Sequence, residues 1–195
     1  MTAVLRVLIL EDSEADVDLI RNELDQAAMR AQLRRVDSRD RFVDALRDFG
    51  PDVVVTDRAA AEFSAPDAIE VARAALPGTP VIVIARTLDT RAVVSLVRLG
   101  AEDVVLKANL RRLPAAITVS RKARRRLDRL SPRQVQVLRF VAQGETSPSI
   151  AKRLDLSVKT VETHRAEMMK RLGEHDISGL VRYAVRVGIV SAADS

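Results

Sequence analysis

The sequence predicts an α/β domain with a doubly wound, five-stranded parallel sheet, followed by an all-α domain of four helices that contains a helix-turn-helix. Three observations lead to this prediction. Five strand-like segments, four of them short apolar runs, alternate with helical segments between residues 4 and 107. Capping residues and glycines divide residues 131–190 into four helices. The charge also changes sign: residues 1–120 hold 16 Lys and Arg against 19 Asp and Glu, a net of −3, whereas residues 121–195 hold 16 against 8, a net of +8.

The apolar runs at residues 4–10, 53–57, 81–84 and 104–106 have the length and the Val, Ile and Leu content of strands that are buried on both faces. The segment 32–36 is expected to be a further strand. Helix signals separate these segments. Ser13 is a suitable N-cap, a helix begins near Pro66, and Gly100 closes the helix before the strand at 104–106. This alternation predicts a parallel sheet with helices on both faces.

Charged residues follow three of these predicted strands, at the edge where such sheets place functional groups. Glu11 and Asp12 follow the first, Asp57 ends the third, and Lys107 follows the fifth. Each acid alone reads most simply as a solvated loop residue. Three carboxylates at one edge, however, predict a bound cation, and oxygen ligands without His or Cys favour Mg²⁺. Asp can also act as a nucleophile toward a phosphoryl group, whose charge Lys107 would offset.

The second part carries four sets of helix start and stop signals. Ser131-Pro132 and Thr146-Ser147-Pro148 open the first two helices, and residues 155–157 form a tight turn into the third. Ser157 and Gly173 bound that third helix, and a fourth follows Asp176. A short helix, a tight turn and a longer helix describe a helix-turn-helix.

The third of these helices has two different faces. Val161, Met168 and Leu172 form an apolar stripe, and the opposite face carries small, polar or basic residues: Lys159, Glu162, Thr163, Ala166 and Lys170. Such a face suits the DNA major groove. On this stretch alone, an amphipathic surface helix is the better explanation of the pattern.

Composition excludes several function classes. The absence of cysteine excludes disulfides, thiolate metal sites and a thiol nucleophile. No apolar run is long enough to span a membrane, and the N-terminal segment lacks a secretory signal pattern, so we expect a cytoplasmic protein with no membrane partner. An aromatic content of 3% argues against a base-stacking platform for single strands. Double-stranded DNA is therefore the expected polyanionic partner of the basic part.

Residues 1 to about 120 resemble the receiver domain of two-component response regulators, which has a flavodoxin-like fold. The matching features are the acid pair Glu11-Asp12, Asp57 at the end of its strand, and the segment 100–107 that ends in Lys107. The resemblance implies that Asp57 accepts phosphate from a sensor histidine kinase. It also implies that Glu11, Asp12, Asp57 and the backbone carbonyl of Ala59 hold Mg²⁺, and that Lys107 contacts the phosphoryl group.

The chain departs from the receiver pattern at the positions that read the phosphoryl group. The family usually has Thr or Ser at the end of the fourth strand, where this chain has Ala85, and an aromatic residue where it has Val104. The proline expected after the lysine is Ala108, and the loop 58–65 lacks the usual Met-Pro and Gly. Two forms of control therefore stay open: phosphorylation of Asp57, or a phosphorylation-independent receiver that acts as a dimerisation or partner-binding unit.

Residues 129–190 are similar to the LuxR/FixJ (NarL-type) helix-turn-helix domain. The resemblance rests on many positions at fixed spacing, including Leu130-Ser131-Pro132-Arg133, Ile150-Ala151, Ser157 to Val161 and Leu172-Gly173. It implies that the third helix enters the major groove and that the last helix supports a homodimer on DNA. The base-facing candidates are Glu162, Thr163 and Ala166. The phosphate-contacting candidates are Lys159, Thr160, Arg165 and Lys170, and His164 is a candidate for either contact or for a structural role.

The sequence thus predicts a DNA-binding transcriptional response regulator and not an enzyme, with a receiver at 1–120, a helical linker at 121–130 and a DNA-binding domain at 131–195. A phosphohydrolase that uses Asp57 is the enzymatic alternative, but such enzymes commonly have a second Asp two residues later, where this chain has Ala59. An RNA-binding antiterminator is a further alternative, which the scarce aromatic residues disfavour.

Overall fold

The structure is a computed structural model that describes residues 4–57, 63–87 and 89–190 of the 195-residue chain. The chain folds into two compact units, Met1–Arg121 and Lys122–Ser195. Among the described residues, no helix has the length and apolar character needed to cross a membrane.

The first unit is built on a five-stranded parallel sheet with the strand order β2-β1-β3-β4-β5. This confirms the predicted fold class. The strands are β1 (Leu5–Leu10), β2 (Ala31–Val36), β3 (Val53–Asp57), β4 (Val81–Ala85) and β5 (Asp103–Leu106). Every residue of β3 and β4 is buried, as expected for central strands covered on both faces.

Helices alternate with these strands. They are α1 (Glu14–Gln26), α2 (Arg39–Asp48), α3 (Ala65–Ala75), α4 (Thr90–Leu99), a 3₁₀ helix (Lys107–Arg112) and α5 (Leu113–Leu127). The predicted capping residues begin or end several of them. The Ser13 hydroxyl accepts from the Asp16 amide at 3.3 Å, and Gly100 ends α4 in the left-handed conformation, with φ of 111°.

Two apolar layers sandwich the sheet. One layer is formed by α2, α3 and α4 and includes Phe42, Ile69 and Leu96. The other is formed by α1 and the first half of α5 and includes Ile20, Leu113 and Ile117. Because alternate strand residues feed the two layers, the sheet is doubly wound, and its charged edge is left at the C-terminal ends of the strands.

The second unit contains four further helices: α6 (Pro132–Ala142), α7 (Ser147–Leu154), α8 (Val158–Leu172) and α9 (Ile177–Arg186). Ser131 and Gln134 form a capping box at the start of α6. Asp155, with φ of 53°, ends α7 in the left-handed conformation, and this makes the turn into α8 tight. The short helix, the turn and the longer helix are the predicted helix-turn-helix.

The core of the second unit is a separate cluster that includes Leu138, Ile150 and the buried Tyr183. The Tyr183 hydroxyl donates to the carbonyl oxygen of Ala123. Ala123 and Leu130, which lie in the segment expected to be a linker, are themselves part of this cluster. The end of α5 therefore supplies core residues to the second unit.

Candidate functional site

The register of the sheet brings the charged strand ends together. Leu10 pairs with Thr56, so Glu11 follows β1 beside Asp57 at the end of β3. Asp57 pairs with Ile84 of β4, and Ala85 pairs with Leu106, the residue before Lys107. Residues that are far apart in sequence thus meet at one edge, as the strand-end pattern predicted.

Lys107 occupies the centre of this edge. Its Nζ atom lies 2.9 Å from Glu11 Oε2 and 2.6 Å from Asp57 Oδ2, and it also donates to Asp16 Oδ2. An ammonium group has three N–H donors, so three carboxylates use its full donor capacity. The side chain of Lys107 is 10% exposed, and the pairs are therefore only weakly screened by solvent.

Three acids at this edge could share a metal ion. Glu11, Asp16 and Asp57 each offer a carboxylate oxygen, and these atoms lie within 4.8 Å of one another. A ligand set made only of oxygen atoms is compatible with Mg²⁺. Asp57 and Glu11 are buried, so a cation there would offset charges that water cannot reach well.

The cluster differs from the acid set expected from the sequence. Asp12 was expected beside Glu11, but its side chain is exposed, and the third clustered acid is Asp16. Strand-end reasoning missed Asp16 because this residue lies in the first turn of α1 and not after a strand. The available signal was the Ser13 cap, which starts α1 at the same edge. Ala59, the expected carbonyl ligand, lies outside the described residues.

The mutual contacts shift the acid–base properties of two groups. Burial raises the pKa of Glu11, and this outweighs the opposing hydrogen bonds from Lys107 and the Ser13 amide. Burial alone would lower the pKa of Lys107, but its hydrogen bonds to Asp16, Asp57 and Glu11 reverse the effect and raise it above its usual range. Lys107 therefore stays positively charged, whereas burial destabilises the charged form of Glu11.

The two positions that depart from the receiver pattern lie where they were expected. Ala85 is the last residue of β4 and is buried. The strand that pairs with β3, which ends in Asp57, therefore ends in an apolar methyl group. Val104 lies in β5 and packs against the apolar layer of α2, α3 and α4. Neither side chain can donate a hydrogen bond.

In the second unit, α8 has the two faces that its sequence predicts. Val161, Met168 and Leu172 are fully buried in the core. The opposite face is exposed and carries the five predicted residues: Lys159, Glu162, Thr163, Ala166 and Lys170. Thr163 donates its hydroxyl to the Lys159 carbonyl at 3.0 Å, which leaves its methyl group and oxygen lone pairs on the surface.

Three other candidates on α8 are less accessible. The side chain of Arg165 is 13% exposed; it donates to the buried Ser147 hydroxyl and pairs with Glu162 at 3.2 Å. Arg165 therefore ties α8 to the start of α7. Thr160 shares the N-cap of α8, with its hydroxyl 2.8 Å from that of Ser157. His164 is half-buried, and its Nδ1 atom is buried with no hydrogen-bond partner among the described residues.

The C-terminal end of α8 is anchored by arginines that the sequence did not single out. Arg126 donates to the Leu172 carbonyl at 2.9 Å, and Arg171 donates to the Arg129 carbonyl at 3.2 Å. These reciprocal bonds satisfy carbonyls that the helix ends would leave unpaired. They fix the end of α8 against the segment 126–129.

Comparison with known proteins gives two family matches that together span most of the chain. Residues 7–118 match the response regulator receiver domain, and residues 128–184 match the bacterial regulatory proteins of the luxR family. The first match alone covers more than half of the chain. The two matches fall on the sheet with the charged edge and on the helices around α8, respectively.

Individual relatives match this chain over most of its length. The transcriptional regulatory protein FixJ of Bradyrhizobium diazoefficiens is 26% identical, over 98% of this chain and 100% of its own. The transcriptional regulatory protein MctR of Rhizobium johnstonii is 30% identical, over 72% of this chain and 74% of its own. The crystal structure of full-length FixJ from B. japonicum superposes with a TM-score of 0.55 at 25% identity, over 97% of this chain and 100% of that chain.

Proposed function

Because this chain belongs to the two-component response regulators that join a receiver domain to a LuxR-type DNA-binding domain, we propose that it binds specific duplex DNA sequences under the control of a phosphoryl group on Asp57. The observation that carries the proposal is the 2.6 Å contact between Lys107 Nζ and Asp57 Oδ2, inside a cluster of carboxylates. A buried acid beside a permanent cation is suited to receive a phosphoryl group.

The transfer needs little from the protein beyond positioning and charge. An Asp57 carboxylate oxygen attacks the phosphorus atom, an O–P bond forms, and the bond from phosphorus to the donor's leaving atom breaks with its electron pair. Lys107 is placed to offset the charge on the phosphoryl oxygens. A sensor histidine kinase is the proposed donor, as the family relationship suggests.

The oxygen-only acid cluster supports a Mg²⁺ cofactor. Glu11 and Asp57 are the proposed ligands, together with Asp12 from the receiver pattern or Asp16 from the observed cluster. When bound, Mg²⁺ supplies Lewis-acid neutralisation of the phosphoryl oxygens. The backbone carbonyl of Ala59 is a further proposed ligand, and only the resemblance to receiver domains supports it.

The DNA-binding role rests on the exposed face of α8 and on the net charge of +8 over residues 121–195. Glu162, Thr163 and Ala166 are the proposed base readers, because they are exposed and short or able to accept a hydrogen bond. Lys159 and Lys170 are the proposed phosphate contacts. We assign Arg165, Thr160 and His164 to holding α8 in place, since their side chains are partly buried. A homodimer on a two-fold site completes the proposal.

A phosphorylation-independent regulator is the second candidate, and the apolar residues Ala85 and Val104 favour it. Without a hydroxyl at the first position and an aromatic ring at the second, the usual means of reading the phosphoryl group is missing. In this case the receiver would act through dimerisation or a partner protein, and the DNA-binding role would be unchanged.

Selection of binding sites from a random duplex library tests both candidates. The full chain is incubated with Mg²⁺, with and without acetyl phosphate, and the enriched sequences and affinities are compared with those of Asp57→Ala. Phosphate control predicts that acetyl phosphate changes the affinity of the wild-type chain and not of Asp57→Ala. Equal affinities under all conditions would favour the second candidate, and the absence of any enriched sequence would contradict both.

A further inference from the structure

Ala85, the residue that ends β4 beside the strand of Asp57, has no side-chain hydrogen-bond donor. Ala85 ends β4 with a methyl group, and the next hydroxyl along the chain is that of Thr87. β4 ends at Ala85, and the chain bends at Arg86 before it reaches Thr87. A phosphoryl group on Asp57 would therefore meet Lys107 from β5 and, at the end of β4, a methyl group in place of a hydroxyl.

Arg86 lies at this gap. Ala85 pairs with Leu106, so Arg86 and Lys107 are the residues that immediately follow this last pair of β4 and β5. Its guanidinium NH2 atom is 3.9 Å from Asp16 Oδ2, the same carboxylate oxygen that accepts a hydrogen bond from Lys107. Asp16 thus links the two cations at the edge of the pocket that contains Asp57.

The pair between Arg86 and Asp16 is loose. The Arg86 side chain is 79% exposed, and a separation of 3.9 Å is at the limit of an ion pair. Exposed pairs of this kind contribute little to stability, so the guanidinium can turn to a better anion at small cost. A phosphoryl group is such an anion, because its charge of about −1.5 to −2 exceeds that of a carboxylate and its oxygens match the guanidinium fork.

We propose that Arg86 contacts a phosphoryl oxygen on Asp57 in place of the hydroxyl that β4 lacks, and that Asp16 is the positioning residue that keeps Arg86 at the pocket. This inference rests on the proposed function of Asp57. Lys107 already has its three N–H donors directed at Glu11, Asp16 and Asp57, so it has no further donor for an additional phosphoryl oxygen. Arg86 is the cation that the register and the Asp16 contact supply.

Beryllofluoride, which mimics a phosphoryl group on a carboxylate, provides the probe. Its affinity for the full chain in the presence of Mg²⁺ is measured from the ¹⁹F NMR signal of the bound form. We expect Arg86→Gln to weaken binding by roughly three- to tenfold, as for the loss of one solvent-exposed hydrogen bond. Arg86→Lys keeps the charge without the fork and should weaken it less. The matched control is Arg91→Gln, which removes an exposed arginine of α4 and the same net charge.

A second-site variant tests whether Arg86 replaces the missing hydroxyl. Ala85→Ser in the Arg86→Gln background should recover most of the lost affinity, since it returns a donor to the end of β4. Equal affinities for Arg86→Gln and Arg91→Gln, or no recovery in the double variant, would overturn the inference while leaving Asp57 as the acceptor. A wild-type chain without any bound signal would instead contradict the proposed phosphoacceptor site itself.

Discussion

Lys107 Nζ lies 2.6 Å from Asp57 Oδ2, although the two residues are 50 positions apart in the chain. The same ammonium also contacts Glu11 and Asp16, so one cation holds three carboxylates at the edge of the sheet. These groups sum to a charge of about −2 if all are ionised. The stability of the first unit should therefore respond strongly to any change in this balance.

Replacing Lys107 by Met tests how much the positive charge of this residue stabilises the first unit. The substitution keeps the apolar stem and removes the charge, which leaves three buried or half-buried carboxylates without their common partner. We expect the free energy of unfolding of the first unit to fall by about 3 kcal/mol, as when one partner of a buried ion pair is lost. Denaturant unfolding measures it, with Arg91→Met, at an exposed cation of the same unit, as control. Mg²⁺ should restore more stability to Lys107→Met than to the wild type; equal gains would contradict this picture.

Replacing Glu11 by Gln tests the acidic side and should have the opposite sign. Burial raises the pKa of Glu11, which means that its charged form is held at a cost in the folded chain. The amide keeps an oxygen that can accept from the Ser13 amide, 3.1 Å away in the wild type, and removes the charge. We expect a higher melting temperature for Glu11→Gln in Mg²⁺-free buffer at neutral pH. Glu14→Gln, at an 88% exposed side chain in the first turn of α1, is the control and should change little.

The sequence was sufficient to predict the fold and most of the charged residues at the sheet edge. Both follow from the spacing of apolar residues and from the positions at which strands end. Apolar runs of strand length and capped helices fix the alternation, and the ends of parallel strands must share one edge. Asp16 could not be found in this way. It reaches the edge from the first turn of a helix, and only the three-dimensional position of Lys107 shows that it belongs to the cluster.

The same limit applies to α8. Helical spacing correctly separated the buried Val161 and Met168 from the exposed Lys159 and Lys170. It could not show that the long side chain of Arg165 folds back to Ser147, because spacing gives the direction of the Cβ atom and not the path of the side chain. Residues that appear polar and accessible by period can thus be structural.

The buried Tyr183 predicts that the second unit loses stability at alkaline pH. Burial raises its pKa to about 12, although nearby Arg186 and Arg126 favour the phenolate. An unfolded tyrosine loses its proton near pH 10, so above that pH the folded chain binds more protons than the unfolded chain. Stability from Tyr183 is therefore complete below about pH 10 and is lost as the pH rises toward 12.

Tyr183 is the only tyrosine in the chain, so phenolate absorbance reports on it directly. Tyr183→Phe should cost about 1 kcal/mol at neutral pH, because the Ala123 carbonyl loses its donor, and should flatten the alkaline decline. A tyrosine that titrates near pH 10 in the folded protein would show that the hydroxyl is not buried as described.

Arg126 should position α8 without touching DNA. Its bond to the Leu172 carbonyl caps the end of the helix, so Arg126→Gln should weaken duplex binding and lower the stability of the second unit together. The number of counterions released on binding should not change, and the slope of log K against log salt should equal that of the wild type. Arg125→Gln, at an exposed neighbour, is the matched control. A slope that is smaller by about one would identify Arg126 as a phosphate contact instead.

We expect Lys170 and Thr163 to have different roles on DNA. Lys170 should contact the phosphate backbone, and Thr163 should contact a base. Both are exposed on α8, but Lys170 offers a point charge, whereas Thr163 offers a methyl group and a hydroxyl oxygen. Lys170→Ala should weaken binding to all duplexes by a similar factor and reduce the salt slope by about one. Thr163→Ala should keep the salt slope and change the preferred base at one position of each half-site, by roughly 1 kcal/mol. Binding to a selected site and to single-base variants of it, each over a series of salt concentrations, separates the two effects. If both substitutions weakened every duplex equally, Thr163 would not be a base reader, and the reading face of α8 would have to be reassigned to Glu162 and Ala166.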